Sequence, residues 1–409
     1  MLSRVRGACA AVLFFVLTSL ALAQSPVAEP APQIGIVTMT PGSEYWARFG
    51  HNAIVVDDPS SGVRLSYNYG YFDFDQPGFL ARFLRGQMRY RLVLMRLEDD
   101  LRGYASDGRG ASVQWLDLRP EQAHALSDFL AWNALPENAE YRYDYFTDNC
   151  STRVRDALDR ALDGALSRQM SGRSHGLTYR VESLRLGADV PWLLLGMHAG
   201  LGPAADRPLS IWDEAFVPQR LADALDRATN SDGQPLVRAR QNLLPDRLAL
   251  ERATASNLRW PFALTGLGAA LFLAWSLRER AGRLQRLGGA LLAGGLLALC
   301  GLGGMCLIAL WALTEHVAAY GNENLLLFNP LCLLLLGALP ALARGTTPHP
   351  WLRHLGMIVA TCAVFALFLR FLPFRIQNNG DFIVLLGPIH VALAWRMSRQ
   401  ARTPWQPRN

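Results

Sequence analysis

The run Tyr143-Asp144-Tyr145-Phe146-Thr147-Asp148-Asn149-Cys150-Ser151 is followed by Val154, Ala157, Leu158, Ala161 and Leu162, the i, i+3, i+4, i+7, i+8 spacing of an amphipathic helix. Asp148 or Asn149 can cap that helix, which sets Cys150 in its first turn. There the unpaired N–H groups and the positive end of the helix dipole lower a thiol pKa and can hold a developing oxyanion. Arg153, one turn on, adds positive charge. The plain alternative is a buried, inert cysteine at a helix start.

Cys150 is one of six cysteines. Cys9 falls in an N-terminal leader, and Cys300, Cys306, Cys332 and Cys362 fall in long apolar stretches, where cysteine behaves as a small hydrophobe. The segment between leader and apolar stretches therefore holds Cys150 alone, without a disulfide partner. A thiolate nucleophile needs a base, usually histidine, and that segment offers His51, His124, His175 and His198. His51 stands in Phe49-Gly50-His51-Asn52-Ala53-Ile54-Val55-Val56, a β-rich run closed by Asp57-Asp58-Pro59-Ser60-Ser61-Gly62, with Val63 to Tyr71 as the return strand. A turn centred on Pro59-Ser60 sets His51 across from Asn68, whose side chain would orient the imidazole, with Asp73 behind it. A one-residue slip would turn Asn68 to the other face. His124 fits a helix surface better.

The ends of the chain say where this pair would work. Arg4 and Arg6 precede an apolar run from Ala8 to Leu20 and then Ala21-Leu22-Ala23, the order of a secretory signal peptide over residues 1–23. From Pro261 five apolar stretches follow, 261–277, 287–313, 325–343, 355–372 and 382–395, near the length of bilayer spans. Of the twelve arginines after 260, all but Arg370 and Arg375 lie on alternate loops, which the positive-inside bias assigns to the cytoplasm. Residues 24–260 then face the periplasm, and the C-terminus is cytoplasmic.

Charge follows the same division. The net charge of +6 comes from the membrane half, since residues 24–260 carry 26 arginines against 30 acids. A nucleic-acid partner is therefore not expected. All 40 basic residues are arginine, which excludes Schiff-base, pyridoxal-phosphate and Walker-A chemistry, each of which needs a lysine amine. No His-Glu-x-x-His or Cys-x-x-Cys pair occurs, so neither metal nor cofactor is expected. Polar groups gather on the outer side of the spans: Glu315, His316, Asn322, Glu323 and Asn324 in one loop, Asp381 in another. Ionisable groups beside a membrane tend to mark sites, and these read as a mouth for a lipid headgroup or lipidated substrate, or else as ordinary solvated loops.

Phe49-Gly50-His51-Asn52-Ala53, Tyr67-Asn68-Tyr69-Gly70-Tyr71-Phe72-Asp73-Phe74 and Asn149-Cys150-Ser151-Thr152, in this order, resemble the Lnb N-terminal periplasmic domain family of bacterial envelope proteins. Gly202-Pro203-Ala204-Ala205-Asp206, Glu214 to Leu221, and Asn322-Glu323-Asn324-Leu325 with Asn329-Pro330 are similar to the same family. The resemblance implies an α+β, circularly permuted papain-like (NlpC-type) domain, with the histidine strand before the cysteine helix and the family's dyad on His51 and Cys150. The family's namesake moves a fatty acyl chain from phospholipid to the N-terminal amine of a lipoprotein.

The expected organisation is a signal peptide over 1–23, a linker over 24–33, a papain-like core over 34–165, a mostly helical extension over 166–260, and an all-α five-helix transmembrane domain over 261–409. The expected activity is a periplasm-facing thiol acyltransferase, with membrane phospholipid as donor and a lipoprotein or other amine as acceptor. The alternatives are a cell-envelope cysteine amidase or peptidase, and a non-catalytic envelope scaffold.

Overall fold

A computed structural model describes residues 30–399. The stretch read as a signal peptide, most of that read as a linker, and Arg402 and Arg408 of the tail lie outside those residues. Alternating apolar residues build an antiparallel sheet from β1 (Gln33–Met39), β2 (His51–Asp58), β3 (Val63–Tyr71), β4 (Arg89–Arg96), β5 (Ala111–Leu116), β6 (Glu140–Arg142) and β7 (Val237–Leu244), in the order β6-β4-β3-β2-β1-β5-β7. β1 begins inside the stretch read as linker. β7 comes from the segment read as mostly helical and closes one edge of the sheet against β5.

The two faces of the sheet bury different helices because side chains alternate along each strand. Ile34, Ile36, Ile54, Val56, Tyr67 and Tyr69 pack with Val154 and Leu158 of the cysteine helix and with Leu126 and Leu130 of a helix over Pro120–Asn133. Val37, Met39, Ala53, Val55 and Val113 pack on Leu97 and Leu101 of the helix over Leu97–Ser106. In chain order, the helices used below are α1 (Phe79–Arg85), α2 (Leu97–Ser106), α3 (Pro120–Asn133), α4 (Cys150–Ala161), α5 (Ala165–Met170), α6 (Tyr179–Leu186), α7 (Pro191–Gly200) and α8 (Pro218–Leu225).

The membrane half follows with α9 (Arg259–Ser276), α10 (Arg283–Leu313), α11 (Pro350–Leu369) and α12 (Gly380–Arg399). Among the described residues α10, α11 and α12 are long and apolar enough to cross a membrane. α9 lies against α12 so closely that a Cβ at Gly266 would meet Leu385 O at 2.3 Å. The stretch 325–343, expected as one span, is instead broken. It runs through a 3-10 turn at Glu323–Leu326 and then short helical pieces over Cys332–Arg344. Pro330 supplies no N–H, while the Asn329 side chain accepts from Leu331 N. At about 1.5 Å per residue the helical part rises only ~20 Å, against ~30 Å of hydrocarbon. A freed carbonyl there, Leu327 O, is satisfied by His390 Nε2 of α12 at 2.9 Å, so the irregular backbone is packed inside protein.

Candidate active site

α4 starts where the sequence places it, and Asn149 is its cap. Asn149 Oδ1 accepts from the N–H groups of Ser151 and Thr152, each at 2.9 Å, and Thr152 Oγ1 accepts from Asn149 N at 2.8 Å. Asn149 Nδ2 donates to Tyr145 O and Phe216 O, which pins the cap to two neighbouring segments. Asp148 pairs with Arg153 instead. Ser151 Oγ bonds Asn52 Oδ1 at 2.8 Å, tying the first turn of α4 to β2.

Cys150 and His51 meet at the end of the sheet. Burial alone would push the Cys150 thiol up, but the charge and hydrogen bond of His51, with N–H bonds from Asn52 and Ser151, hold it below its ordinary value. Burial would likewise push the His51 imidazole down. The charge of Cys150, its hydrogen bond, the charge of Asp100 and the bond to Asn68 outweigh that and raise it. The pair is thus biased towards thiolate and imidazolium.

The far side of the ring is fixed by a chain of unambiguous partners. Asp100 Oδ2 can only accept, and it takes Asn68 Nδ2 at 2.9 Å and Ser66 Oγ at 2.7 Å. That turns Asn68 Oδ1 to His51 Nε2, 3.0 Å away. Nε2 must then carry its proton, which leaves Nδ1 for the thiol. The ring of Tyr104 stacks on the imidazole, with centroids 6.2 Å apart, under the guanidinium of Arg109.

Beside Cys150, the missing side chain of Gly70 leaves room for about one methyl group. Its φ of +93° suits glycine, and a Cβ there would stand 3.4 Å from Cys150 Cβ, 3.9 Å from Cys150 N and 3.8 Å from the Tyr141 hydroxyl. The Tyr141 hydroxyl is buried without a hydrogen-bond partner. Cys150 N is the first N–H of a helix, where no intrahelical acceptor exists. Two unused donors therefore border one vacant space next to the thiol.

The family model for the Lnb N-terminal periplasmic domain matches residues 29–183, and that for the Lnb transmembrane domain matches residues 261–402. The chain belongs to the Lnb family. No curated protein and no solved structure matches it. It therefore combines a periplasmic α+β domain with a transmembrane domain, as the two family descriptions state.

Within this Lnb-family chain the expected site residues divide. Cys150, His51 and Asn68 come together, although the strand register differs by two residues from that expected: Ile54 pairs with Tyr67 and Asp58 with Val63. A two-residue shift preserves the face, so Asn68 reaches His51 diagonally. Asp73 does not join them. It is exposed and its carboxylate accepts from Asp75 N in a turn. Asp100 of α2 stands behind Asn68 instead. Its position within Leu97-Glu98-Asp99-Asp100 offers no sequence signal, since any of three acids could have faced the sheet.

The outer polar residues are mostly joints between the two halves. Asn322 Nδ2 donates to Ala199 O, Gly200 O and Leu201 O at the end of α7, and Asn324 Nδ2 to Ala199 O. Asp381 bonds His198 Nε2 at 3.1 Å, and Glu323 pairs with Arg375 at 3.2 Å. These four are buried or partly buried between elements and bonded to neighbouring chain, although Asn324 Oδ1 is buried without a partner. Glu315 and His316 lie nearer the dyad domain. Glu315 pairs with Arg142 at 2.5 Å, while His316 bonds Phe83 O at 3.1 Å and stacks on Tyr145.

Proposed function

We propose that this protein is a thiol acyltransferase of the cytoplasmic membrane, with the dyad domain in the periplasm, five crossings of which the third is a broken segment, and a cytoplasmic C-terminus. The reading is supported above all by the Cys150–His51 pair, held by Asn68 and Asp100 beside a void with two unused donors. The Cys150 thiolate attacks the ester carbonyl carbon of a phospholipid. His51 Nδ1–H protonates the departing glycerol oxygen, leaving a lysophospholipid and a Cys150 thioester. An amine such as a lipoprotein N-terminus then attacks the thioester carbonyl and gives its proton to Nδ1, and the amide leaves as the thiolate returns. In both steps the carbonyl oxygen becomes an oxyanion, for which Cys150 N–H and the Tyr141 hydroxyl are the donors.

The direct test is mass spectrometry of the Cys150 peptide after incubating the full chain with diacyl phospholipid. A fatty acyl thioester is expected; its absence, with free fatty acid or a cleaved peptide amide as product, would favour the amidase or hydrolase alternative. Tyr141→Phe should slow thioester formation by about 10²–10³-fold, the usual cost of one oxyanion donor. Alkylation of Cys150 by iodoacetamide generates no oxyanion and should be far less affected. Equal losses in the two reactions would mean that Tyr141 supports the thiol itself.

A further inference from the structure

The dyad domain exposes an apolar surface at the end that meets the membrane half. Trp192, Tyr45, Trp46, Phe74, Phe79 and Phe83 touch in sequence, with ring centroids 4.7–6.1 Å apart. Several of these rings are open to the outside, Trp192 at 61% and Phe74 at 54%, and on α1 Leu80 is 66% and Leu84 59% exposed. Arg82 and Arg85 share that helix, so α1 combines the apolar and basic residues of an interfacial helix. Contiguous exposure of this kind marks an interaction surface.

What covers it follows from continuity with the transmembrane surface. α10 ends at Leu313, itself 74% exposed, and two residues later Glu315 N bonds Arg85 O at 2.7 Å. His316 Nε2 bonds Phe83 O at 3.1 Å. The last residue of α7, the helix carrying Trp192, has only Leu310 of α10 within reach of a Cβ, at 4.0 Å. α1 and the C-terminal end of α7 therefore stand at the level where α10 ends.

The surface also leads inward. Phe72 stacks on Tyr90 at 5.1 Å, and Tyr90 meets Tyr143 at 4.2 Å. Burial and then the charge of Cys150 raise the Tyr143 phenol, and Tyr143 lies two residues beyond Tyr141, whose hydroxyl borders the space at Gly70 beside Cys150. On the other flank a cleft of about 530 Å³ is lined by Arg82, Gln87, Arg89, Glu140, Tyr141, Arg142 and Glu315, with Arg89 paired to Glu140 and Arg142 to Glu315. Tyr141 thus borders both the cleft and the void at Gly70.

Resting on the acyltransfer reading, we propose that α1, with Trp46 and Trp192, is immersed in the periplasmic leaflet, and that the aromatic row carries one acyl chain of a leaflet phospholipid to Cys150. Arg82, the cleft guanidinium without a carboxylate partner, then lies on the side of the headgroup phosphate. The ester reaches the thiol without the lipid leaving the membrane, so the domain need not extract it.

The experiment compares two acyl donors on the full chain: diacyl phosphatidylethanolamine in bilayer discs, and the soluble ester p-nitrophenyl butyrate. The double variant Leu80→Asp/Leu84→Asp should lose about tenfold or more in Cys150 thioester formation from the bilayer lipid relative to the butyrate, because two charges replace leaflet-facing leucines. An unchanged ratio overturns the proposal. Immersion is read separately, with a fluorescent amino acid at position 84 and, as control, at Ser61 in the hairpin turn at the opposite end of β2. Spin-labelled lipids should quench the first and spare the second. Absence of quenching at position 84 overturns the proposal whatever the rates. If neither donor acylates the native chain, the acyltransfer reading fails, and quenching at position 84 still decides the immersion.

Discussion

Cys150→Ser and His51→Ala are each expected to abolish thioester formation, with losses on the order of 10⁴-fold or more, and the double variant should be little worse than either. The reason is that neither residue does its work alone. Serine at position 150 keeps the helix cap, since Asn149 Oδ1 bonds Ser151 and Thr152 and not the thiol. It removes the acidity on which attack depends, because a hydroxyl is not ionised by an imidazole and two N–H groups. Alanine at position 51 keeps the thiol but removes the charge and hydrogen bond that hold its pKa down against burial. Iodoacetamide rates against pH give the check. The native chain should show an inflection below the ~8.5 of a free thiol, and His51→Ala should move it up. Losses that add in the double variant, or an inflection unmoved by His51→Ala, would separate the two residues into independent roles.

How much of this was legible depends on how local the signal is. Cys150 stands out because every other cysteine falls in the leader or in apolar stretches, and its helix announces itself by spacing. His51 stands out through a β-hairpin with a clear turn. Asn68 is legible only as a face: the turn centre was displaced, yet a two-residue error in pairing returns the same side of the strand. Asp100 is not legible, because which of Glu98, Asp99 and Asp100 faces β3 is decided by how α2 packs on the sheet, which no short-range pattern encodes. Asp73 stands close to Asn68 in sequence, but the chain spends its carboxylate on a turn at Asp75.

The membrane half shows the same limit. Hydropathy finds apolar stretches but not the breaks within them, and Pro330 and Asn329 divide the third. Polar outer residues read as a substrate mouth because sequence cannot show that α7 supplies the carbonyls for Asn322 and Asn324. Tyr141 is invisible for a similar reason. The oxyanion role proposed for it rests on the space at Gly70, which exists only once β3, β6 and α4 converge.

Asp100→Asn is expected to be the most damaging change outside the dyad, with a loss of about 10²–10⁴-fold in thioester formation, the range spanned by positioned proton-transfer groups. The carboxylate can only accept, and by accepting from Asn68 Nδ2 it forces Asn68 Oδ1 towards His51. An amide at position 100 can donate as well, so Asn68 is free to turn its own Nδ2 to the ring. Nε2 would then have to accept, the proton would sit on Nδ1, and the neutral ring could no longer take a proton from the thiol. The pH profile separates this from simple loss of packing. The charge of Asp100 is among the influences that raise His51, so without it the imidazolium loses its proton at lower pH, and the alkaline limb of activity moves towards acid. A weaker imidazolium also supports the thiolate less, so the acid limb moves up and the active window narrows from both sides. These limbs belong to the pair as a unit, since the two groups titrate together. Asp100→Glu, which keeps a pure acceptor, should recover part of the window, while Asp73→Ala should leave it untouched. A variant at position 100 that folds and keeps the native limbs would show that Asn68 is oriented by Ser66 alone, through the 3.0 Å contact between Asn68 Nδ2 and Ser66 Oγ.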